Sequence, residues 1–478
     1  LEASLPRRIH FWIFALVIAV APLPLGANRP WAWTPLAVAI AILCLTWPLV
    51  ARLDRDYPPP RLGLVAGPLI LVGLVMTWGA LQAWDGLPLA WAHPIWDQMN
   101  AALALTRTAE PVPATVSVVP QEVGTALLRL LLYVGCIWLA FVHGRSPRRA
   151  RRLVEVIAAS GLVYALHGLF VYATGNGTVF NRPKLHYLDL LSGSFINPNH
   201  YATYAGLTAL ALLATMVIRL GSRGRALLGP IEQRDRVTVL FVVALLCILV
   251  ALGASRSRAG ISSSVLGMAT FGICAWVWSA PRPRLNRALK ALVPLILIPA
   301  AIASVAIANV DLMTGSTHRA YVWGLTLDMI GDRPFLGTGM NSFAGMFASV
   351  RPNDLTQLWT KAHDTYLELA LDLGIPAAGL LIGAALWLCI LCARGVLTRD
   401  RDQVLPALGF SATILVGFHA LADFSMQIPA VAMTWSVLVG VGVAQSISSR
   451  SRRTDARPIE FAGAPAAQGT AKSSALPP

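Results

Sequence analysis

In KAHDTYLELALDLG, His363 is followed by Asp364, Glu368 and Asp372, one, five and nine positions further on. A histidine titrates near neutral pH and is suited to take a proton from a hydroxyl, with Asp364 or Glu368 orienting it or standing in for it. The plainer reading is a helix N-terminus whose acids complement its dipole. Arginines form the second set. Arg256 and Arg258 share the short turn ASRSRAGISSS between two apolar runs, and Arg319 opens a helix-like stretch after Gly-Ser-Thr-His. Arg129 lies inside an apolar run, where an arginine needs a partner or a wet cavity unless it snorkels outward. Two further groups are candidate acceptor-binding or supporting residues. Asn197, Asn199 and His200 flank Pro198 in GSFINPNHYATYAGL, where helix capping is the competing role. His419 and Asp423 stand four apart in FHALADFSMQIPA, a pore-facing pair or a helix-packing contact. Arginines grip diphosphates through planar, charge-assisted donor pairs and stabilise charge on a departing diphosphate. With a base nearby, that is the chemistry of group transfer from a diphosphate to a hydroxyl. A transporter for an anionic substrate is the rival reading of the same residues.

The elements that must carry these groups are set by composition. Of 478 residues, 56% are hydrophobic and 13% charged, with mean hydropathy +0.63, which excludes a soluble enzyme and a disordered chain. Twelve apolar runs are long enough to span a bilayer as helices: 9–27, 31–50, 62–84, 124–142, 152–172, 199–218, 236–254, 260–279, 288–309, 366–393, 404–421 and 428–447. The first resembles a signal peptide, with Arg7 and Arg8 before it and PLGA near its end, and is read as a retained span. With the N-terminus cytoplasmic, the formal charge of +15 divides into about +17 in cytoplasmic loops and about −2 outside. The basic excess therefore orients the chain and gives no support for nucleic acid. The six cysteines sit in apolar runs; Cys389 and Cys392 have C-x-x-C spacing but no second Cys/His pair, so no metal site is expected.

The expected fold is all-α: a polytopic integral membrane protein of about twelve transmembrane helices, both termini cytoplasmic, with a large outside loop before the last three spans. Residues 1–450 form one transmembrane domain, with outside segments at about 85–123, 173–198 and 310–365. Trp91 and Trp96 suggest that the first of these lies flat at the interface. In the third, RAYVWGLTLDMIGD places Tyr321, Leu325, Asp328 and Met329 at helical spacing. Residues 451–478, rich in Ala, Pro and small polar residues, read as a disordered cytoplasmic tail.

Five motifs occur in order. They are GSFINPNHYA, SRSRAG, Arg319 and Trp323 with PFLGTGMNSF, AHDTYLELALDLG and HALADFSMQIPA. Over about residues 190–430 the series resembles the bacterial O-antigen ligase-like family, which includes O-antigen ligases and O-antigen or exopolysaccharide polymerases. The resemblance implies transfer of a glycan from undecaprenyl diphosphate to an acceptor sugar hydroxyl at the periplasmic face of the inner membrane, without metal, ATP or other cofactor. The implied partners are the undecaprenyl diphosphate-linked glycan and either lipid A–core or a second lipid-linked glycan. By motif position, Arg256, Arg258 and Arg319 would hold the diphosphate and His363 would be the base, with Asp364 or Glu368 assisting. Ligases tend to show His, then Asn, Ser or Gln, then nine residues and Gly-x-x-Gly. Here Asp364 takes the second place, Gly374 is correctly spaced and Ala377 replaces the last glycine, which leaves ligase and polymerase both open. The residues also admit a flippase, disfavoured because the ionisable groups gather at one membrane edge, and a scaffold whose arginines bind lipid headgroups.

Overall fold

The computed structural model describes residues 4–53, 63–105, 110–175, 177–179, 182–221, 236–278, 317–353, 355, 358–399 and 402–446. Among these residues the chain is helical apart from a ribbon of two short strands, β1 (Thr178–Val179) and β2 (Arg182–Pro183). The helices are α1 (Leu5–Val20), α2 (Pro30–Arg52), α3 (Gly63–Gln82), α4 (Ile95–Ala104), α5 (Pro120–Gly144), α6 (Pro147–Ala173), α7 (Pro198–Gly221) and α8 (Arg236–Ala254). They continue with α9 (Arg258–Trp278), α10 (Thr317–Asp332), α11 (Phe343–Val350), α12 (Thr365–Leu373), α13 (Ile375–Thr398), α14 (Val404–His419) and α15 (Pro429–Ser446). Proline opens α2, α5, α6, α7 and α15, at the one helical position where its missing N–H costs nothing.

Nine described helices are long and apolar enough to cross a membrane: α2, α3, α5, α6, α7, α8, α9, α13 and α15. The expectation of twelve spans changes in three places. The run expected at 9–27 is helical only to Val20, because Pro22 and Pro24 stop it, so α1 has 16 residues. The run expected at 366–393 breaks at Gly374 into the nine-residue α12 and a spanning α13. The run at 404–421 is the 16-residue apolar α14. The span expected at 288–309 and the tail at 451–478 lie outside the described residues.

Two of these helices, α7 and α15, are buried nearly all round. Their sequences explain it, for Gly, Ala, Ser and Thr recur along both and let neighbouring backbones approach closely. A Cβ on Gly440 of α15 would stand 2.6 Å from the Ile137 carbonyl of α5. At the perimeter, α2 and α8 expose Leu45, Leu49, Leu240, Leu246 and Val250, the apolar surface that lipid chains cover. The basic helix junctions meet at one end of the bundle. There Arg151 pairs with Asp402 at 2.5 Å, and Gln445 donates to the Gly144 carbonyl at 2.6 Å.

The opposite end carries a cap. Val322, Met329 and Ile330 of α10 pack with Phe343, Met346 and Phe347 of α11 and with Leu371 of α12 in a small apolar core. The described residues of 85–123 pack against this end, the His93 N–H donating to the Thr115 carbonyl at 2.9 Å and the Ser117 N–H to the Gln82 carbonyl at 2.7 Å. Trp96 is buried and donates to the Thr115 carbonyl at 2.9 Å, although Trp91 stays exposed.

The cap is fastened to the bundle backbone to backbone. Thr338 and Gly339 donate to the carbonyls of Leu371 and Asp372, both at 2.9 Å, and Ile375 donates to the Pro334 carbonyl at 2.7 Å. Gln82, at the end of α3, donates to the Leu336 and Asp372 carbonyls at 2.8 and 2.9 Å. The approach needs a glycine: Gly374 has φ +80°, and a Cβ there would sit 2.3 Å from the Phe335 carbonyl oxygen. Gly374→Ala is expected to cost about 2–3 kcal/mol, since both the dihedral and the contact are violated. Gly379→Ala, at a helical position with nothing within 4 Å, is expected to be neutral or slightly stabilising. Thermal unfolding of the detergent-solubilised variants checks the contrast.

Candidate functional site

His363 sits in the tight turn that joins the cap to α12. Its φ is +54°, a left-handed conformation a histidine holds only when its surroundings enforce it. The restraints lie on both sides. The Trp323 indole donates to the Ala362 carbonyl at 2.9 Å, and the Ala362 N–H donates to Glu368 Oε2 at 3.2 Å. Asp364 caps α12, accepting the N–H groups of Tyr366 and Leu367 at 2.8 and 3.0 Å. Such a cap typically contributes about 0.5–2 kcal/mol. Thr365 is tied to the α14–α15 turn through the Ala420 carbonyl at 2.8 Å and the Asp423 carbonyl at 2.9 Å. The imidazole is flanked edge-on by Trp359 and Phe424, with ring centroids 5.4 and 5.0 Å away.

The carboxylate that meets His363 is Asp423, from 60 residues further along the chain, at 3.2 Å between Oδ1 and Nδ1. Asp423 is fully buried. Asn199 donates to its Oδ2 at 2.6 Å, the Phe424 N–H donates to Oδ1 at 2.8 Å, and His200 Nε2 lies 4.0 Å from Oδ1. Burial alone pushes this carboxyl upward, but the His363 hydrogen bond and the charges of His200, His363 and His419 outweigh it. The net displacement is downward, and Asp423 stays ionised. An ionised Asp423 can only accept, so the ring nitrogen facing it, Nδ1, carries the hydrogen, and Nε2 is left for other partners. His200 and His419 are buried beside it, and neither ring nitrogen of His419 has a hydrogen-bond partner among the described residues.

The pairing differs from the spacing-based expectation. α14 ends at His419, so His419 and Asp423 do not share a helical face. Asp423 instead lies in the following turn, its N–H donating to the His419 carbonyl at 3.1 Å. Asn197 caps locally, accepting the Asn199 N–H at 2.8 Å, while Asn199 reaches across to Asp423. Arg319, half-buried at the start of α10, directs Nη1 toward the Ala422 carbonyl at 3.5 Å, one residue before Asp423. Arg256 and Arg258 are exposed in the turn into α9, and Arg256 also has a positive φ, +50°. That turn stands against the start of α7, where Gly260 meets Ala202. The two arginines thus share the end of the bundle that holds Asn199 and His200.

A second polar cluster adjoins the first. Lys361 donates to Glu368 at 2.8 Å and to Asn341 Oδ1 at 3.2 Å; Asn341 Nδ2 donates to Glu122 at 3.2 Å. Asp372 accepts the N–H groups of Asn341 and Ser342 and the Ser342 hydroxyl, at 2.8, 3.2 and 3.0 Å. Glu368 therefore holds the turn and Lys361, not the imidazole. Arg129 stands apart from the other arginines, its guanidinium 5.3 Å from the centroid of the Trp33 ring. Sequence reasoning named Trp323 only as part of a motif and passed over Asn341, Lys361 and Tyr187 as individual residues. Only PFLGTGMNSF, with its paired glycines, signalled that Asn341 occupies a constrained turn. Tyr187, with φ +61°, stands close enough to Asp423 and Arg319 for both charges to act on its phenol.

Residues 241–382 match the O-Antigen ligase family model, Wzy_C. The match supports the O-antigen ligase-like resemblance. It takes in Arg256, Arg258, Arg319 and His363 and stops short of Asp423. No curated protein matches the chain.

Burial, and then the charge of Glu368, lift the Asp372 carboxyl to about 7. A carboxyl raised above its unfolded value of about 3.9 favours the folded state most below that value. The advantage is lost as pH rises from about 4 through about 7. The stability of the parent relative to Asp372→Asn is therefore expected to fall between pH 5 and pH 8. Thermal unfolding at several pH values measures it, and a constant difference contradicts the assignment.

Proposed function

We propose that this protein transfers a glycan from a polyprenyl diphosphate carrier to a sugar hydroxyl at the end of the bundle opposite the basic junctions. The carrier is read as undecaprenyl diphosphate and the setting as the bacterial inner membrane, with the site open to the periplasm. The observation that carries the reading is the His363–Asp423 dyad, placed within one residue of the Arg319 contact.

In this reading Asp423 holds His363 with Nε2 unprotonated. His363 Nε2 takes the proton of the acceptor hydroxyl as its oxygen attacks the anomeric carbon of the donor glycan. The bond from that carbon to the diphosphate oxygen breaks, and the electron pair leaves with the carrier diphosphate. Arg319, with Arg256 or Arg258, offsets the charge that accumulates there. The chemistry of this donor set calls for neither a metal nor a nucleotide. Asn199 and His200 keep Asp423 in place, and Glu368 and Asp364 keep the His363 turn in its left-handed form.

The ligase reading takes lipid A–core as acceptor and produces one adduct. The polymerase reading takes a second lipid-linked repeat unit and produces a ladder; the Asp364 and Ala377 departures from the ligase pattern favour keeping it. Purified protein supplied with undecaprenyl diphosphate-linked glycan, with and without lipid A–core, distinguishes the two by product size.

His363→Ala is expected to lower the transfer rate by about 10²–10⁴-fold, the usual contribution of a positioned acid–base group. Asp423→Asn keeps the shape but removes the anionic acceptor, and is expected to lose about 10²-fold or more. Arg319→Ala is expected to lose about 10²–10³-fold. Full transfer by both His363→Ala and Arg319→Ala would sink the site assignment.

A further inference from the structure

Beneath α12 lies a cavity of about 630 Å³, within the roughly 300–1,000 Å³ range of small-ligand sites. Its walls are almost entirely apolar and come from α3, α5, α13, α14 and α15, with Leu266 from α9. Leu69 and Leu386 border it and are also 41% and 54% exposed on the bundle surface, so the cavity reaches the perimeter where lipid chains lie. One end is acidic. There Asn341, Glu368 and Asp372 line it, and α12 begins two residues after His363.

The charge at that end discriminates between lipids. Glu368 and Asp372 face the cavity and Glu122 is bound to Asn341, against one lysine, Lys361, already paired with Glu368. Carboxylates accept hydrogen bonds from sugar hydroxyls and repel diphosphate oxygens. Arg129 also lines the cavity, but about 10 Å deeper than Glu122 at 1.5 Å per residue, and it stacks on Trp33. The arginines suited to a diphosphate, Arg256, Arg258 and Arg319, attach to α9 and α10. α14 packs on α7 and α9 as well as on α13 and α15, and Leu266 of α9 also reaches the cavity wall.

We propose that this cavity seats an acyl chain of the acceptor glycolipid, whose sugar headgroup rests on Glu368, Asp372 and Asn341 beside His363. The proposal rests on the transferase reading above and assigns its second substrate. The diphosphate donor then engages the arginines at the starts of α9 and α10, and the two headgroups meet at the His363–Asp423 dyad.

The test uses the full chain in lipid nanodiscs and three diazirine-tagged probes: an acylated glycolipid, a polyprenyl diphosphate and phosphatidylethanolamine. The expected result is labelling of α3 and α13 peptides by the glycolipid, displaced by untagged glycolipid and not by untagged phosphatidylethanolamine. Stronger labelling by polyprenyl diphosphate, or equal labelling by phosphatidylethanolamine, overturns the proposal. In the transfer assay, Val72→Trp and Ala385→Trp narrow the cavity. They are expected to raise KM for the acylated acceptor about tenfold or more, the equivalent of roughly two unburied methylenes. The donor KM and the rate with a deacylated acceptor stay at parental values. An unchanged acceptor KM in a folded variant, or a shifted donor KM, also overturns it. If the parent chain transfers nothing, the transferase reading falls, and the labelling still decides what the cavity holds.

Discussion

A single buried carboxylate governs the geometry at the capped end of the bundle. Asp423 is withdrawn from water, and an ion there persists only if several donors converge on it. They come from three separated parts of the chain: Asn199 at the start of α7, His363 before α12, and the Phe424 amide in the same turn. Satisfying the charge therefore ties α7, the cap and the α14–α15 turn together. The site is assembled by the requirement that this charge be paired. The requirement also fixes the imidazole, because a carboxylate on Nδ1 leaves only Nε2 for chemistry.

Holding His363 against Asp423 has a backbone consequence. The turn adopts a positive φ at His363, and Arg256 and Asn341 do so too at this end of the molecule, Asn341 being of the residue type that tolerates it best. Each is over-determined by its surroundings. Trp323, Glu368 and Asp364 restrain His363, while the Asp372 carboxylate accepts the Asn341 amide. Below the turn, Gly374 lets the backbone of α12 meet that of the Phe335–Gly339 loop. The broken helix is thus a mounting for the strained turn.

Hydropathy and charge carried much of the architecture. The apolar runs located eight of the nine long helices to within a few residues, because bilayer thickness and backbone satisfaction leave little freedom. Hydropathy failed where it could not weigh local breakers: Pro22 and Pro24 after α1, and Gly374 inside an otherwise uninterrupted apolar run. For the site, the residue types were readable and their partners were not. His363, Asp423 and Asn199 were all singled out, yet spacing suggested Asp364 for the histidine and His419 for Asp423. The true contacts span 60 and 224 residues, and no local period encodes them. Asp364 was taken by a stronger local claim, the two amides that open α12.

The distribution of charge across the bundle follows from the same physics. Basic residues are concentrated at the junctions opposite the cap, which orients the helices. Each arginine at the capped end works against that bias and needs a compensating environment. The acids there do not answer it uniformly. Asp423 stands near Arg319, which reaches the Ala422 carbonyl, whereas Glu368, Asp372 and Glu122 collect around Lys361 and Asn341. One flank of His363 is thereby suited to an anionic group and the other to hydroxyls. A transfer from a diphosphate to a sugar alcohol needs that polarity across its base, and a symmetric distribution of the same residues would not supply it.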